Sequence, residues 1–283
     1  MHRSPRRFHK YLTVALMGWQ DSLVYRFNAL VWVLYAVVPA VTMMFVWLAA
    51  YASPHGAATG APSGPRLIAG YSGGQMLTYY FFVTALSVAI TPNPEWDIAS
   101  AIRDGKITPF VLRPIGYFGY RVAWETSYQI VKSAMMLPAF CLLWWAFRTR
   151  IHLEPLSAGH WLDFAGTCLL AYAMLSQIKF LVGISAFWIV EPAGFMELGN
   201  VVSGLFAGRL LPLALLPAWA GTIGAFLPFS LLYALPMSVL QGRASEHDIA
   251  VGFVKQVAWL LVLAVAVRIT WRRGLVAYEA IGG

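Results

Sequence analysis

The chain has 283 residues, of which 59% are apolar and 11% charged, against about 45–50% and about 25% in soluble domains. That excess excludes an ordinary water-soluble globule, and 24 glycines with 16 prolines are too few for a collagen-like or low-complexity chain. A net charge of +8 would favour nucleic acid in a soluble domain; in lipid the placement of the basic residues decides instead, and no nucleic-acid partner is expected.

Arg3, Arg6, Arg7 and Lys10 precede an apolar stretch, but Gln20 and Asp21 interrupt it and no small-residue cleavage pattern follows, so the start reads as retained. Phe8, Leu12, Ala15, Leu16, Trp19, Leu23 and Phe27 recur at helical spacing. They predict an amphipathic elbow helix lying in the membrane interface within residues 1–28, the alternative being an N-terminal extension of the first span. No Asp, Glu, Lys or Arg occurs over residues 27–65. A bilayer core takes about 20 apolar residues per helix, so the first span is predicted at 29–51, before a Gly/Ala/Pro-rich outer loop at 53–65. The second, at 73–90, opens on a capping-box pattern of Ser72 and Gln75 and closes before Pro92 and Pro94.

Residues 92–125 form the one sizeable segment on the expected cytoplasmic side. Asn93 suits an N-cap and Pro94 the first helical position, Glu95 and Asp97 suit the positive end of the dipole, and Gly105 suits a left-handed stop. A helix of about 11 residues, about 16 Å long, is thus specified where there is no membrane to cross. Trp96, Ala99, Ile102 and Arg103 fall on one side of it. Such a face points to docking of a soluble partner; a loop helix folded back on the chain's own spans is the alternative.

The third span is predicted at 126–147, with Lys132 near its cytoplasmic end, and the fourth at 164–190 with Lys179 inside it. A fifth begins near Leu198. It runs into a charge-free stretch, 210–242, broken by Pro212, Pro217, Pro228 and Pro236. That stretch is too long for one span and too proline-rich for one straight helix. The expectation is a helix ending near Leu216, then an outer re-entrant pair within 217–242 turning near Pro228 and packed against other helices. The sixth span is predicted at 249–271. With the N-terminus inside, twelve basic residues fall on cytoplasmic segments and five outside, which favours six spans with both ends in the cytoplasm.

Several motifs fail on context. Gly70, Ser72 and Gly74 match the GxSxG pattern of hydrolases, which needs a strand before it and a helix after it; capping of the second span accounts for Ser72. The six histidines have no metal-ligand spacing, and Cys141 and Cys168 lie in apolar stretches, as buried structural cysteines do. No phosphate loop exists, since Asp104, Gly105, Lys106 and Ile107 lack the earlier glycine and the following hydroxyl. No metal, cofactor or catalytic residue is expected on this chain. Gly204 and Gly208 form a GxxxG that permits close helix contact, within the chain or with a second copy. Lys179 and Arg209 are costly in lipid and should face protein or water, either touching substrate or paired with Glu191 or Glu197.

Together these features resemble the permease subunits of type-2 ATP-binding-cassette (ABC) exporters. The resemblance rests on Trp96, Asp97 and Ile98 with Arg103, Gly105, Leu112, Arg113, Pro114 and Tyr117. It rests also on the runs from Gly208 to Leu213, Leu216 to Trp219 and Leu227 to Phe229, and on the ending Trp271, Arg272, Arg273, Gly274 and Leu275 with Tyr278, Gly282 and Gly283. It implies an all-α polytopic membrane protein, one permease domain over residues 1–283, with six transmembrane helices, an elbow helix, a cytoplasmic coupling helix and outer re-entrant helices. The coupling residues would be Trp96, Asp97, Ile98, Ile102, Arg103, Gly105 and Arg113. The partners would be a separate ABC ATPase dimer holding ATP and magnesium, a second permease of the same or a different chain, and membrane lipid, in a bacterial inner membrane. The substrate would be a hydrophobic or amphipathic drug, peptide or lipid-like molecule. The loop at 53–65 carries no implied role. The alternatives are an ATP-independent channel or ion-coupled carrier, and a membrane-embedded transferase or hydrolase.

Overall fold

Backbone in a bilayer finds no water to satisfy its polar groups, so apolar stretches fold as helices whose hydrogen bonds are internal. The computed structural model describes residues 5–24, 28–52, 67–112, 116–151, 153 and 155–282. Its helices are α1 (Pro5–Val24), α2 (Asn28–Ala52), α3 (Gly73–Ile90), α4 (Glu95–Arg103), α5 (Thr108–Leu112), α6 (Tyr117–Phe147), α7 (Ala158–Ile184), α8 (Ala193–Phe206), α9 (Ala218–Phe226), α10 (Ala234–Leu240) and α11 (Glu246–Gly282). Short 3-10 turns lie at Ser185–Phe187, Leu213–Leu215 and Pro228–Leu231. Among the described residues there is no strand, only an isolated bridge between Ile68 and Tyr71.

Among the described residues, five helices are long and apolar enough to cross a membrane: α2, α3, α6, α7 and α11. The most apolar windows of α3 and α7 are 56% buried within the protein, while that of α2 is 11% buried, so α3 and α7 form the centre and α2 lies at the periphery. Large apolar side chains such as Val38 on α2, Leu137 on α6 and Leu261 on α11 stay exposed, as lipid-facing residues do. The interior holds two clusters. One gathers around Met76, Tyr79, Met174 and Leu232; the other, at the end that carries α4, gathers around Ile98, Ile107, Phe180 and Ile184.

Between α7 and α11 the chain runs along the bundle in short pieces, which make up to six spans in all. Met196 of α8 belongs to the cluster at the α4 end, whereas Gln241 and Arg243, just past α10, reach the carbonyls of Gln75 and Gly70 beside the start of α3. The chain from α8 to α10 therefore passes from one end of the bundle to the other. Helix α8 stops at Phe206, well before the Leu216 predicted for it. Gly208 at φ 82° ends it: Arg209 N–H bonds back to Gly204 O at 3.0 Å and Gly208 N–H to Leu205 O at 3.3 Å. These two bonds are those of a Schellman stop, which needs the left-handed conformation that glycine adopts without a Cβ clash. Beyond it, α9 and the Pro228–Leu240 segment meet at a bend of 78°, near the turn predicted at Pro228.

Carbonyls freed by these interruptions find donors on neighbouring helices. Tyr79 and Tyr80 of α3 donate to Gly208 O at 2.5 Å and Leu210 O at 3.0 Å. Gln256 of α11 donates to Leu231 O at 3.0 Å, and Ala234 N–H to Ala207 O at 3.0 Å. The broken segment is thereby bound into the bundle rather than left facing lipid.

Other boundaries shift modestly. The α3 bounds agree with prediction, and Ser72 and Gln75 form the reciprocal capping box expected of them. Helix α6 starts at Tyr117 rather than 126, α7 at Ala158 rather than 164, and α11 extends at both ends of 249–271. In α1 the stripe residues Leu12, Leu16 and Trp19 are exposed, while Val14 is buried and a Cβ on Gly18 would meet Trp124 O at 3.2 Å. Helix α1 thus lays its other face along α6 and leaves these three stripe residues outward. Cys141 is exposed and Cys168 half-buried, both free thiols, which corrects the expectation of two buried cysteines: Cys141 falls on the lipid-facing side of α6. The predicted loop at 53–65, Arg113 and Pro114 lie outside the described residues.

Tyr79→Phe keeps the ring and removes the donor to Gly208 O. A buried carbonyl left without a donor costs about 1–3 kcal/mol, so the variant should unfold at a lower temperature in detergent; an unchanged midpoint would show that the break does not depend on this bond.

Candidate docking site on α4

Helix α4 is short because its signals lie close together. Glu95 and Asp97 fill its first turn and Gly105, at φ 73°, closes it. Gly105 N–H bonds to Ile102 O at 3.3 Å and Lys106 N–H to Ala101 O at 2.9 Å, the same stop that ends α8. The residue at the N-cap position is Pro94, not Asn93 as predicted. Pro94 has helical φ and ψ, and the Asn93 amide turns away to Thr91 O at 3.5 Å. The helix is held instead by what lies beneath it.

Glu95, Ile98, Ala99 and Ile102 repeat at helical spacing, and all are buried. Ile98 and Ile102 pack with Phe180, Ile184 and Met196. Two residues predicted for docking thus belong to the chain's own core, because the apolar stripe of this helix is turned inward. Trp96, Asp97 and Arg103 face outward, Trp96 with 43% of its surface exposed. Contact with α7 is close at Gly183, where a Cβ would lie 2.9 Å from Ile98 Cβ and 3.0 Å from Glu95 Cα.

At this contact sits the strongest polar feature of the site. The Lys179 ammonium on α7 donates to Glu95 Oε1 at 2.5 Å and to Asn200 Oδ1 on α8 at 2.5 Å. Both charged side chains are buried. Lys179 is therefore an interior partner of α4, and neither Glu191 nor Glu197, proposed from sequence, takes it. Sequence reasoning placed Glu95 on the helix dipole only. The available signal was the pair itself: an acid that opens a membrane-proximal helix and a lone lysine inside the fourth span.

A second charged contact ties α4 to α6. Arg121 donates to Asp97 Oδ2 at 2.7 Å and to Glu125 Oε1 at 2.9 Å, its side chain buried while that of Asp97 is open to solvent. After the helix, Lys106 holds Asp104 at 2.7 Å, and this hydrogen bond and charge keep the Asp104 carboxyl below its ordinary range. Tyr278 of α11 lies 3.2 Å from Thr108, so the end of α11 reaches the segment that follows α4.

The remaining candidates separate from this site. A Cβ on Gly204 would meet the Arg209 guanidinium at 3.0 Å, and one on Gly208 would meet the Tyr79 hydroxyl at 2.8 Å and Ala234 Cβ at 3.2 Å. The pair seats Arg209 and the chain's own fold-back. Arg209 has no carboxylate partner among the described residues. Its guanidinium lies against the end of α8, where the helix dipole is negative. No group of side chains suited to a metal ion is present among the described residues.

The Glu95–Lys179 pair generates a specific expectation. Lys179→Met leaves a buried carboxylate unpaired and should destabilise the protein by about 3–5 kcal/mol, whereas Glu95→Gln combined with Lys179→Met should recover most of that loss. Thermal unfolding of the two single variants and the double variant reads the coupling; additive losses would show that the two residues do not act as a pair.

Compared with known families, residues 62–282 match the one described as ABC-2 family transporter protein. No curated protein and no solved structure matches the chain. With most of its length inside that match and its apolar helices spanning the membrane, the chain belongs to the ABC-2 transporter family and is a multi-pass membrane permease component of the kind that works with an ABC ATPase.

Proposed function

We propose that this permease is the membrane subunit of an ATP-driven exporter and that the outward face of α4 is where a separate ABC ATPase dimer docks. The observation that carries the reading is the division of α4. Its inner face is bound to α7 by an ion pair and apolar packing, and its outer face presents Trp96, Asp97 and Arg103 with no function in the fold that requires Trp96 to be exposed. Hydrolysis of ATP and the magnesium it needs belong to the partner, and this chain performs no chemistry of its own.

In this mechanism, closure of the ATPases on ATP displaces α4, and the path between two permeases, of the same chain or of two chains, opens toward the outside. Only a differential affinity for the two states lets nucleotide drive such a change. Both termini and α4 face the cytoplasm in a bacterial inner membrane, in keeping with the excess of basic residues on those segments. The cargo is hydrophobic or amphipathic. Arg209, beside the break between α8 and α9, is the cation we assign to the substrate path. An ion-coupled carrier is less well supported because the two buried acids among the described residues, Glu95 and Glu125, are each held by a cation.

Trp96→Ala and Ile102→Ala separate docking from folding. Trp96→Ala should lower ATPase capture and transport-coupled hydrolysis in reconstituted vesicles, with the unfolding midpoint unchanged. Ile102→Ala removes a buried side chain and should cost about 2–5 kcal/mol of stability. Full coupling in Trp96→Ala would overturn the docking assignment.

A further inference from the structure

A cavity of about 320 Å³ opens between the start of α6, the second half of α7 and α11. It lies at the α4 end of the bundle, where Trp271 of α11 stacks on Tyr117 of α6 with ring centroids 5.3 Å apart. Phe118, Phe180, Val267 and Trp271 supply apolar walls, and Gln177 and Arg268 are the polar groups among its lining residues.

Among the six described residues that carry a buried side-chain polar atom without a partner, Gln177 is the one that lines this cavity. It is 6% exposed, on one of the two central helices, and its Oε1 has no hydrogen-bond partner. Its neighbours on α7 are matched: Ser176 donates to Tyr172 O at 2.8 Å, and Lys179 is held by Glu95 and Asn200. A buried carbonyl-type oxygen with nothing to accept from, on a residue that lines a cavity, calls for a ligand that donates. Arg268 of α11, in the same lining, is a cation that suits an anion. It is exposed, as are Arg272 and Arg273 on the next turn of α11, and none of the three has an ion-pair partner among the described residues.

We propose that this cavity binds an anionic phospholipid of the surrounding leaflet, its phosphate on Arg268 and a headgroup hydroxyl donating to Gln177. The volume is at the low end for ligand sites and takes the headgroup and glycerol region, not whole acyl chains. The chains have a track beside it: Leu261, Val265 and Ile269 of α11 are exposed at helical spacing on the adjoining surface. Free phosphate satisfies Arg268 but makes no use of the aromatic walls or of that track. The proposal requires this end of the bundle to lie at a membrane surface and does not depend on ATPase docking.

The test is native mass spectrometry of the full chain in detergent, titrated with phosphatidylglycerol, with phosphatidylcholine and with inorganic phosphate as separate arms. Phosphatidylglycerol should be retained in preference to phosphatidylcholine, and inorganic phosphate should not displace it. Arg268→Gln should weaken phosphatidylglycerol about fivefold, the effect of one cation at a lipid surface. Gln177→Leu should weaken it about two- to tenfold, the effect of one hydrogen bond. Gln177→Leu should also raise the unfolding midpoint of the lipid-free protein, because it removes an unmatched buried polar group; this shows that the variant folds. Ala264→Trp, which fills the cavity and leaves both polar groups in place, should abolish retention. Equal retention of the two lipids, displacement by phosphate, or wild-type affinity in Gln177→Leu and Arg268→Gln would each overturn the assignment.

Discussion

A lysine inside a membrane-spanning helix is tolerated only with a partner, and here the partner sits on a different element. Glu95 opens α4 and Lys179 lies within α7, with the ammonium shared with Asn200 of α8. In a low-dielectric interior, removal of either charge strands the other. The pair therefore fixes where α4 lies: it cannot slide along α7 or lift from it without exposing an uncompensated charge. Gly183 permits the close approach that brings the two atoms within reach, and Ile98 and Ile102 fill the space on either side. The outward face of α4 is set by this arrangement, since a nine-residue helix with four buried positions has only one side left to present.

The same economy of polar groups governs the broken crossing. A helix that stops at Gly208 at membrane depth leaves carbonyls that lipid cannot satisfy, and α3, α10 and α11 supply the donors. Those bonds explain why two tyrosines and a glutamine occur on the inner faces of otherwise apolar spans. They also place Arg209 at the end of α8, where the dipole partly offsets its charge without a carboxylate and leaves the guanidinium available to another anion.

Much of this was legible in the sequence, and the failures have a common cause. Long stretches with few or no charges located the five continuous spans, and the capping box at Ser72 fixed the start of α3 to the residue. Gly105 is legible as a helix stop because it follows a short helix with clear signals. Gly208 is masked by the GxxxG it completes with Gly204, although it carries the same pattern: glycine followed by a basic residue, as at Gly105 with Lys106 and Gly242 with Arg243. All three glycines have positive φ and end helices. Periodicity also placed Ile102 beside Trp96 and Arg103, but it cannot say which side of a helix faces the protein. That depends on Phe180, Ile184 and Met196, which come from elements far along the chain. Lys179 does form the ion pair expected as one alternative, but its partner was hidden for the same reason: Glu191 and Glu197 are near in sequence, whereas Glu95 is 84 positions away.

The pair also constrains how a docked motor would act. Moving a two-state equilibrium from 1:99 to 99:1 takes about 5.5 kcal/mol of differential binding, and rupture of a buried ion pair alone would cost about 3–5 kcal/mol. A cycle that broke Glu95 from Lys179 at each turn would spend most of its drive on that step. The proposed displacement of α4 is therefore one in which the pair stays closed, so that the adjoining half of α7 and the start of α8, through Asn200, travel with it. Arg121 extends the moving body to the start of α6 through Asp97, which is open to solvent and thus the cheaper bond to change. On this argument the hinge lies where the two interior clusters meet along α7 rather than at α4 itself.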